Sequence, residues 1–337
     1  MTQTPARTND GSKRSRQRGA ALLAAMLTVM LVATFAAAAL WQQWRSAEVE
    51  GAERARVQAA WVLIGALDWS RLILGEDGRA GGPDHLGEPW AVPLEEARLT
   101  SFLSAEKNVA SDNLEGLPDA FLSGRIVDAQ SKLNVLSLVD NGKPVPAGVA
   151  TFTRLFNLLG LPVAELNQMT TGLAAALATA TSTDGSSGGD SSAAPLMPQQ
   201  VSQLVWLGLS ASTAAALEPY VTILPVKTTL NLNTASAEAI SASLESLNIA
   251  TARQLVERRS RSFFKSFEDA NQALPSGGSR FNAAQHGVGT HFFEVYGKLR
   301  LDRTYVEERS LLQRSGVTVT TIWRTRGAGA TLTPVKP

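Results

Sequence analysis

The sequence predicts an α+β protein: one long N-terminal helix packed on a small antiparallel sheet, with a large all-α domain inserted into it. Three observations carry this prediction. From Ala20 to Trp44 no residue is charged, and from Arg45 to residue 74 there is neither Pro nor a turn cluster, so the N-terminus reads as one unbroken helix. Residues 149–178, 198–219 and 235–259 are helically patterned, the first two of them Leu/Ala-rich. Apolar and polar residues alternate from His291 to Arg324, as half-buried strands require. The order of a long helix, a little β, a helical block and then β again is that of a helical domain inserted into a helix-plus-sheet domain.

At the N-terminus, residues 1–19 carry Arg7, Lys13, Arg14, Arg16 and Arg18 against Asp10 alone. The uncharged stretch that follows would span about 37 Å as a helix, enough to cross a bilayer. The basic flank stays cytoplasmic, which places Arg45 and the rest of the chain on the far side. A secretory signal has the same basic start, and the small residues at 36–40 would suit its peptidase. Against that reading, the apolar run outlasts an adequate signal core and the helix continues beyond it. Val57, Ala60, Trp61, Ile64 and Leu67 recur at helical spacing, so the exported part is expected to be amphipathic, with Trp61 and Trp69 packing it onto its domain. Trp41 and Trp44 end the apolar run, where amphipathic rings favour a membrane interface.

Residues 75–93, "GEDGRAGGPDHLGEPWAVP", hold five Gly and three Pro and are expected to end the helix in a surface loop. "GRIVDAQSKLNVLSLV" at 124–139 reads as a strand pair or a strand with a turn. "TATSTDGSSGGDSSAAP" at 179–195 reads as a flexible Ser/Gly loop. Three closing strands are expected near 291–301, 303–313 and 316–324. The net charge of +1 gives no reason to expect a nucleic-acid partner, and without cysteine neither disulfides nor thiolate metal sites exist.

"RQRGAALLAAMLTVML" resembles the N-terminus of type IV pilins and type II secretion pseudopilins, where a basic leader ends in Gly and an apolar helix follows. That resemblance implies that prepilin peptidase cuts between Gly19 and Ala20 and that the new Ala20 amine is methylated. Most of that superfamily has Glu at the fifth mature position; here it is Ala24, which suits a first, uppermost subunit that docks beneath no other. "GRIVDAQSKLNVLSL" (124–138) and "PYVTILPVKTTLNLNTASAEAI" (219–240) are similar to segments of one member, the minor pseudopilin K or general secretion pathway protein K family. The resemblance covers most of residues 14–325. It implies a pilin-like helix and sheet around a helical insert of SAM-like or helix-hairpin-helix-like type.

The expected organisation is a cleaved leader (1–19), a transmembrane helix (20–44) and a periplasmic helix with the first strands (45–138). An inserted helical domain follows (139–285, in parts of about 139–218 and 219–285), then closing strands (286–326) and a tail (327–337). The resemblance implies single-pass anchoring in a bacterial inner membrane with most of the chain periplasmic, and no enzymatic activity. Its implied partners are the I and J minor pseudopilins, the major pseudopilin, prepilin peptidase and the inner-membrane secretion platform. The family also implies calcium bound in an acidic stretch. Of that stretch only Asp184 and Asp190 remain as candidate ligands, a marginal set for an ion that takes six to eight oxygens, and a plain linker is the competing reading.

Two further readings compete with a pseudopilus tip. Residues 228–272 also resemble a helix-hairpin-helix module, and a membrane-tethered periplasmic DNA-uptake protein would use it. Its hairpin reads Leu247-Asn248-Ile249-Ala250, without the glycine that close phosphate approach needs, and Glu257 interrupts Arg253, Arg258, Arg259 and Arg261. Thr234 or Ser236 is the expected N-cap of the helix that follows, with Glu238 in its first turn. "GSSGG" at 185–189 formally matches a nucleophile elbow around Ser187, but it lies in a Ser/Gly loop rather than between strand and helix. His85, His286 and His291 lack any accompanying metal or catalytic motif and read as exposed loop residues.

Overall fold

In a computed structural model the protein is described over residues 12–100, 120–181, 195–301 and 304–328. It divides into two units, Met1–Ala60 and Trp61–Pro337. Helix α1 runs over Ser12–Ala80. The second unit holds a five-stranded antiparallel sheet in the order β1-β2-β9-β10-β11, formed by Leu94–Arg98, Ala120–Asp128, Phe292–Leu301, Thr304–Ser315 and Thr318–Ala328. The three closing strands sit where the alternation puts them. The edge strand β1, short and largely exposed, does not alternate cleanly and was not expected.

Between β2 and β9 the chain leaves the sheet and returns. Asp128 and Phe293 are direct cross-strand partners, so exit and re-entry are neighbours. The excursion contains paired two-residue strands β3 (Leu133–Asn134) with β6 (Val221–Thr222), β4 (Val139–Asp140) with β5 (Lys143–Pro144), and β7 (Leu230–Asn231) with β8 (His286–Gly287). Its helices are α2 (Pro146–Leu159), α3 (Val163–Thr181), α4 (Ala211–Leu217), α5 (Ala237–Ser243), α6 (Ile249–Arg261) and α7 (Phe267–Gln272). They bury a common core that includes Phe152, Leu155, Phe156, Leu166, Met169 and Leu173. Ser236, not Thr234, caps α5, its hydroxyl accepting from Ala239 N; Glu238 lies in the first turn as expected.

The part of α1 beyond residue 60 lies on one face of the sheet. Leu63, Leu67, Ser70 and Leu74, at steps of four, three and four, are buried, and Leu67 and Leu74 share a core with Phe293, Val295, Leu312 and Val319. Two expectations need correction here. Trp61 is 69% exposed and Trp69 36%, because both lie off this stripe; Trp90, buried edge-on to Phe293 at 5.2 Å, is the tryptophan that fills the core. The helix ends inside the Gly/Pro-rich stretch as expected, at Ala80, where Gly81 (φ 66°) and Gly82 (φ 115°) turn the chain away, but it runs through Gly75 and Gly78 first. Gly78 serves contact rather than a break: a Cβ there would lie 2.2 Å from the Gly316 carbonyl oxygen in the β10–β11 turn. The segment after α1 is not a free surface loop either, since it buries Asp84 and Trp90.

Candidate functional site

The residues singled out for processing sit on α1, in the first unit. Gly19, Ala20 and Ala24 are all exposed, and a Cβ on Gly19 would meet nothing within 4 Å. The helix from Gly19 is long and apolar enough to cross a membrane, and the most apolar stretch of it buries no residue within the protein. Leu22, Leu23, Met26, Leu27 and Phe35 are all about two-thirds exposed, an arrangement that water penalises and lipid does not. Trp41 and Trp44 follow, their ring centroids 5.6 Å apart.

In the second unit the two motifs that carried the resemblance meet. Asp128, at the end of β2, is buried, and its Oδ2 accepts from Asn231 Nδ2 at 2.8 Å and from the Thr234 hydroxyl at 2.5 Å. Its Oδ1 accepts from the backbone N–H of Gln130 at 2.7 Å, capping the turn that leaves the sheet. Burial pushes this carboxyl up to about 6 although Thr234, Thr290, Asn231 and the Gln130 N–H all favour the charged form. Asn231 also donates to the carbonyl of Asp84 at 3.1 Å, so the loop after α1 joins the same knot. Asn233 exchanges hydrogen bonds with the backbone of Phe264, and Asn134 donates to the Val226 carbonyl at 2.7 Å. Gln130 spans insert and sheet, donating to the Thr229 carbonyl and accepting from His291 N. The Asp-Ala-Gln and Asn-x-Asn-Thr motifs therefore form a hydrogen-bonded joint that fixes the insert to the sheet.

A charged cluster adjoins this joint. Arg314 on β10 pairs with both Asp77 of α1 and Asp84, and donates to the Thr290 carbonyl at 3.0 Å. Asp84 Oδ2 accepts from Thr290 N at 2.7 Å, and burial raises its pKa against those partners. Glu88 accepts from His85 N and Trp90 Nε1; burial raises it to about 7. Among the described residues, Asp77, Asp84 and Glu88 are the carboxylates grouped closely enough to hold a metal. Arg314 already supplies the positive charge there, so the set fits a structural ion pair rather than calcium. Asp184 and Asp190, the candidate calcium ligands, lie outside the described residues, as does Ser187.

The histidines need correcting. His286 is buried on β8, with Nε2 3.0 Å from Ser243 Oγ and Nδ1 facing Asn282; burial lowers its pKa to about 4, so the ring is neutral. His85 is half-buried and stacked on Phe263 at 3.9 Å, and only His291 is exposed as expected. A lone histidine in a Gly-containing segment carries no periodicity from which to read its burial.

The hairpin before α6 holds no anion cradle. Asn248 caps α6 through Thr251 N, and Arg259 turns inward to donate to the Leu232 carbonyl at 2.6 Å, leaving Arg253, Arg258 and Arg261 exposed. On α1, meanwhile, Trp61, Gly65 and Leu72 are exposed on one side of the helix.

Residues 131–226 and 230–290 match two family models, each described as protein K of the type II secretion system (T2SS). The chain is 29% identical over 334 residues to the type II secretion system protein K of Pseudomonas aeruginosa, spanning 94% of this chain and 95% of that one. To the protein of the same name from Pectobacterium carotovorum it is 28% identical over 350 residues, spanning 95% and 100%. Among solved structures it is similar to a chain of the GspK-GspI-GspJ complex of the enterotoxigenic Escherichia coli type 2 secretion system. There the TM-score is 0.59 at 18% identity, over 82% of this chain and 99% of that chain, a likeness of fold.

Proposed function

We propose that this chain, similar over nearly its whole length to type II secretion system protein K, is a minor pseudopilin of that system and the subunit at the tip of the inner-membrane pseudopilus. The observation that carries the proposal is helix α1, whose most apolar stretch is unburied and whose later part packs on a sheet that carries a helical insert. Such a chain works by packing rather than by chemistry. Prepilin peptidase removes residues 1–19, the Ala20 amine is methylated, residues 20–44 stay in the inner membrane, and the remainder stands in the periplasm.

The exposed side of α1 at Trp61, Gly65 and Leu72 supports packing beside the helices of other subunits. A chain of similar fold has been solved with GspI and GspJ, and the equivalent I and J subunits are the proposed neighbours here. The major pseudopilin and the inner-membrane platform complete the assembly. Ala24 supports the tip position, because a subunit with nothing above it gains no partner for a carboxylate held in lipid. Neither the geometry nor the relatives favour a DNA-uptake protein.

Sequencing the N-terminus of the membrane-extracted protein tests the reading. Methylated Ala20 is the expected first residue, and Gly19→Leu should retain the leader. A start near Leu40, or normal processing of Gly19→Leu, would overturn it.

A further inference from the structure

The face of the sheet turned away from α1 carries an ordered row of side chains for which the assembly role has no use. Arg125, Tyr296, Arg309 and Thr325 are direct cross-strand partners on β2, β9, β10 and β11. The Tyr296 ring lies between the two guanidiniums, 4.8 Å from Arg125 and 5.2 Å from Arg309. Its hydroxyl donates to Glu294 at 2.6 Å, and Arg309 donates to the other oxygen of the same carboxylate at 2.8 Å. The platform is thus fixed before any ligand arrives. Burial alone would raise Glu294, but Lys132 and Arg309 beside it hold it below the ordinary carboxylate range.

The charges of this face do not cancel. Arg309 is taken up by Glu294 and Glu218, and Lys298 by Glu307 at 3.3 Å. Arg125 is exposed and forms no ion pair among the described residues. Arg309 Nε, buried, has no hydrogen-bond acceptor, and Glu307 Oε1 on the same lining has no hydrogen-bond donor. The three residues line a trough of about 480 Å³ that extends to Gln200 of the insert, whose amide donates to Thr325 at 3.0 Å. That volume is far more than one carboxylate fills and falls in the range that takes several groups at once.

We propose that this trough between sheet and insert is a docking site for an acidic, extended segment of a partner protein, one carboxylate of which pairs with Arg125 over the face of Tyr296. Charge complementarity at Arg125 selects the occupant: a guanidinium laid on a ring and without an ion-pair partner among the described residues offers its N–H fork to a carboxylate, while the nearby Lys298 is already paired with Glu307.

Full-length protein in detergent micelles, titrated at low salt with a fluorescent hexaglutamate peptide and followed by anisotropy, tests the proposal. Binding should fall at least tenfold in Arg125→Gln, stay near wild type in Arg253→Gln on the exposed face of α6, and recover in part in Arg125→Lys. Hexaglutamine should not bind. Equal binding by wild type and Arg125→Gln, equal loss in Arg253→Gln, or no binding by wild type would each overturn it.

Discussion

At Asp128 burial and hydrogen bonding pull in opposite directions, and burial wins: the carboxyl is pushed up to about 6 while four donors surround it. An acid whose folded pKa lies above its unfolded value of 3.8 holds its proton more tightly when folded. Its contribution to stability is therefore present at low pH and disappears as pH rises through about 6. In urea unfolding, the stability difference between wild type and Asp128→Asn should shift against wild type by about 2 kcal/mol between about pH 4.5 and pH 7. A shift in wild type's favour as pH rises would refute this assignment. Glu88, raised to about 7, has the same sign, with its contribution lost nearer neutrality.

Elements are where sequence patterning succeeded and failed for reasons that can be named. The closing strands and the long apolar helix were legible because each repeats its period over ten or more residues. The Gly-rich stretch ends the helix as read, at Gly81 and Gly82, but glycine signals either a bend or a close contact, and only the neighbour across the gap decides which. Gly65 and Gly78 lie on the same helix and differ in that respect. Nothing lies within 4 Å of a Cβ on Gly65, whereas one on Gly78 would strike the Gly316 carbonyl at 2.2 Å. Gly65→Ala should raise the melting temperature, since alanine is better in a helix by about 1 kcal/mol. Gly78→Ala should lower it by several degrees as the β10–β11 turn is driven off the helix. Calorimetry on the two variants decides; the same sign for both would mean that helix propensity alone governs α1. Trp61 was misplaced because its size suggested the core, but it lies two residues from Leu63 and so about 200° around the helix from the buried stripe. The joint around Asp128 was half legible: its motifs stood in the sequence, but their meeting did not, since the hydrogen bonds join residues about a hundred positions apart.

At the scale of the whole molecule the proposal turns on Ala24. Introducing Glu there places a carboxylate in lipid at a cost of about 3 kcal/mol unless a neighbour's amine meets it. A tip subunit has no such neighbour above it, so Ala24→Glu should leave secretion unchanged or reduce it when the variant replaces the native protein in a secreting strain. Improved secretion would place the subunit lower in the filament.

The adjacency of Asp128 and Phe293 also bears on how the chain reaches its fold. Pairing β2 with β9 from an unstructured chain means closing a very long loop, and such non-local closures are slow. A folded insert removes that obstacle, because its two ends already lie side by side and β9 can zip onto β2 as if across a short turn. The helical block should thus gain hydrogen-exchange protection before the sheet during refolding; protection of β2 and β9 ahead of α2 and α3 would show the reverse order. In this light the polar knot at the neck of the insert is also a kinetic device, converting the slowest contact in the chain into a local one.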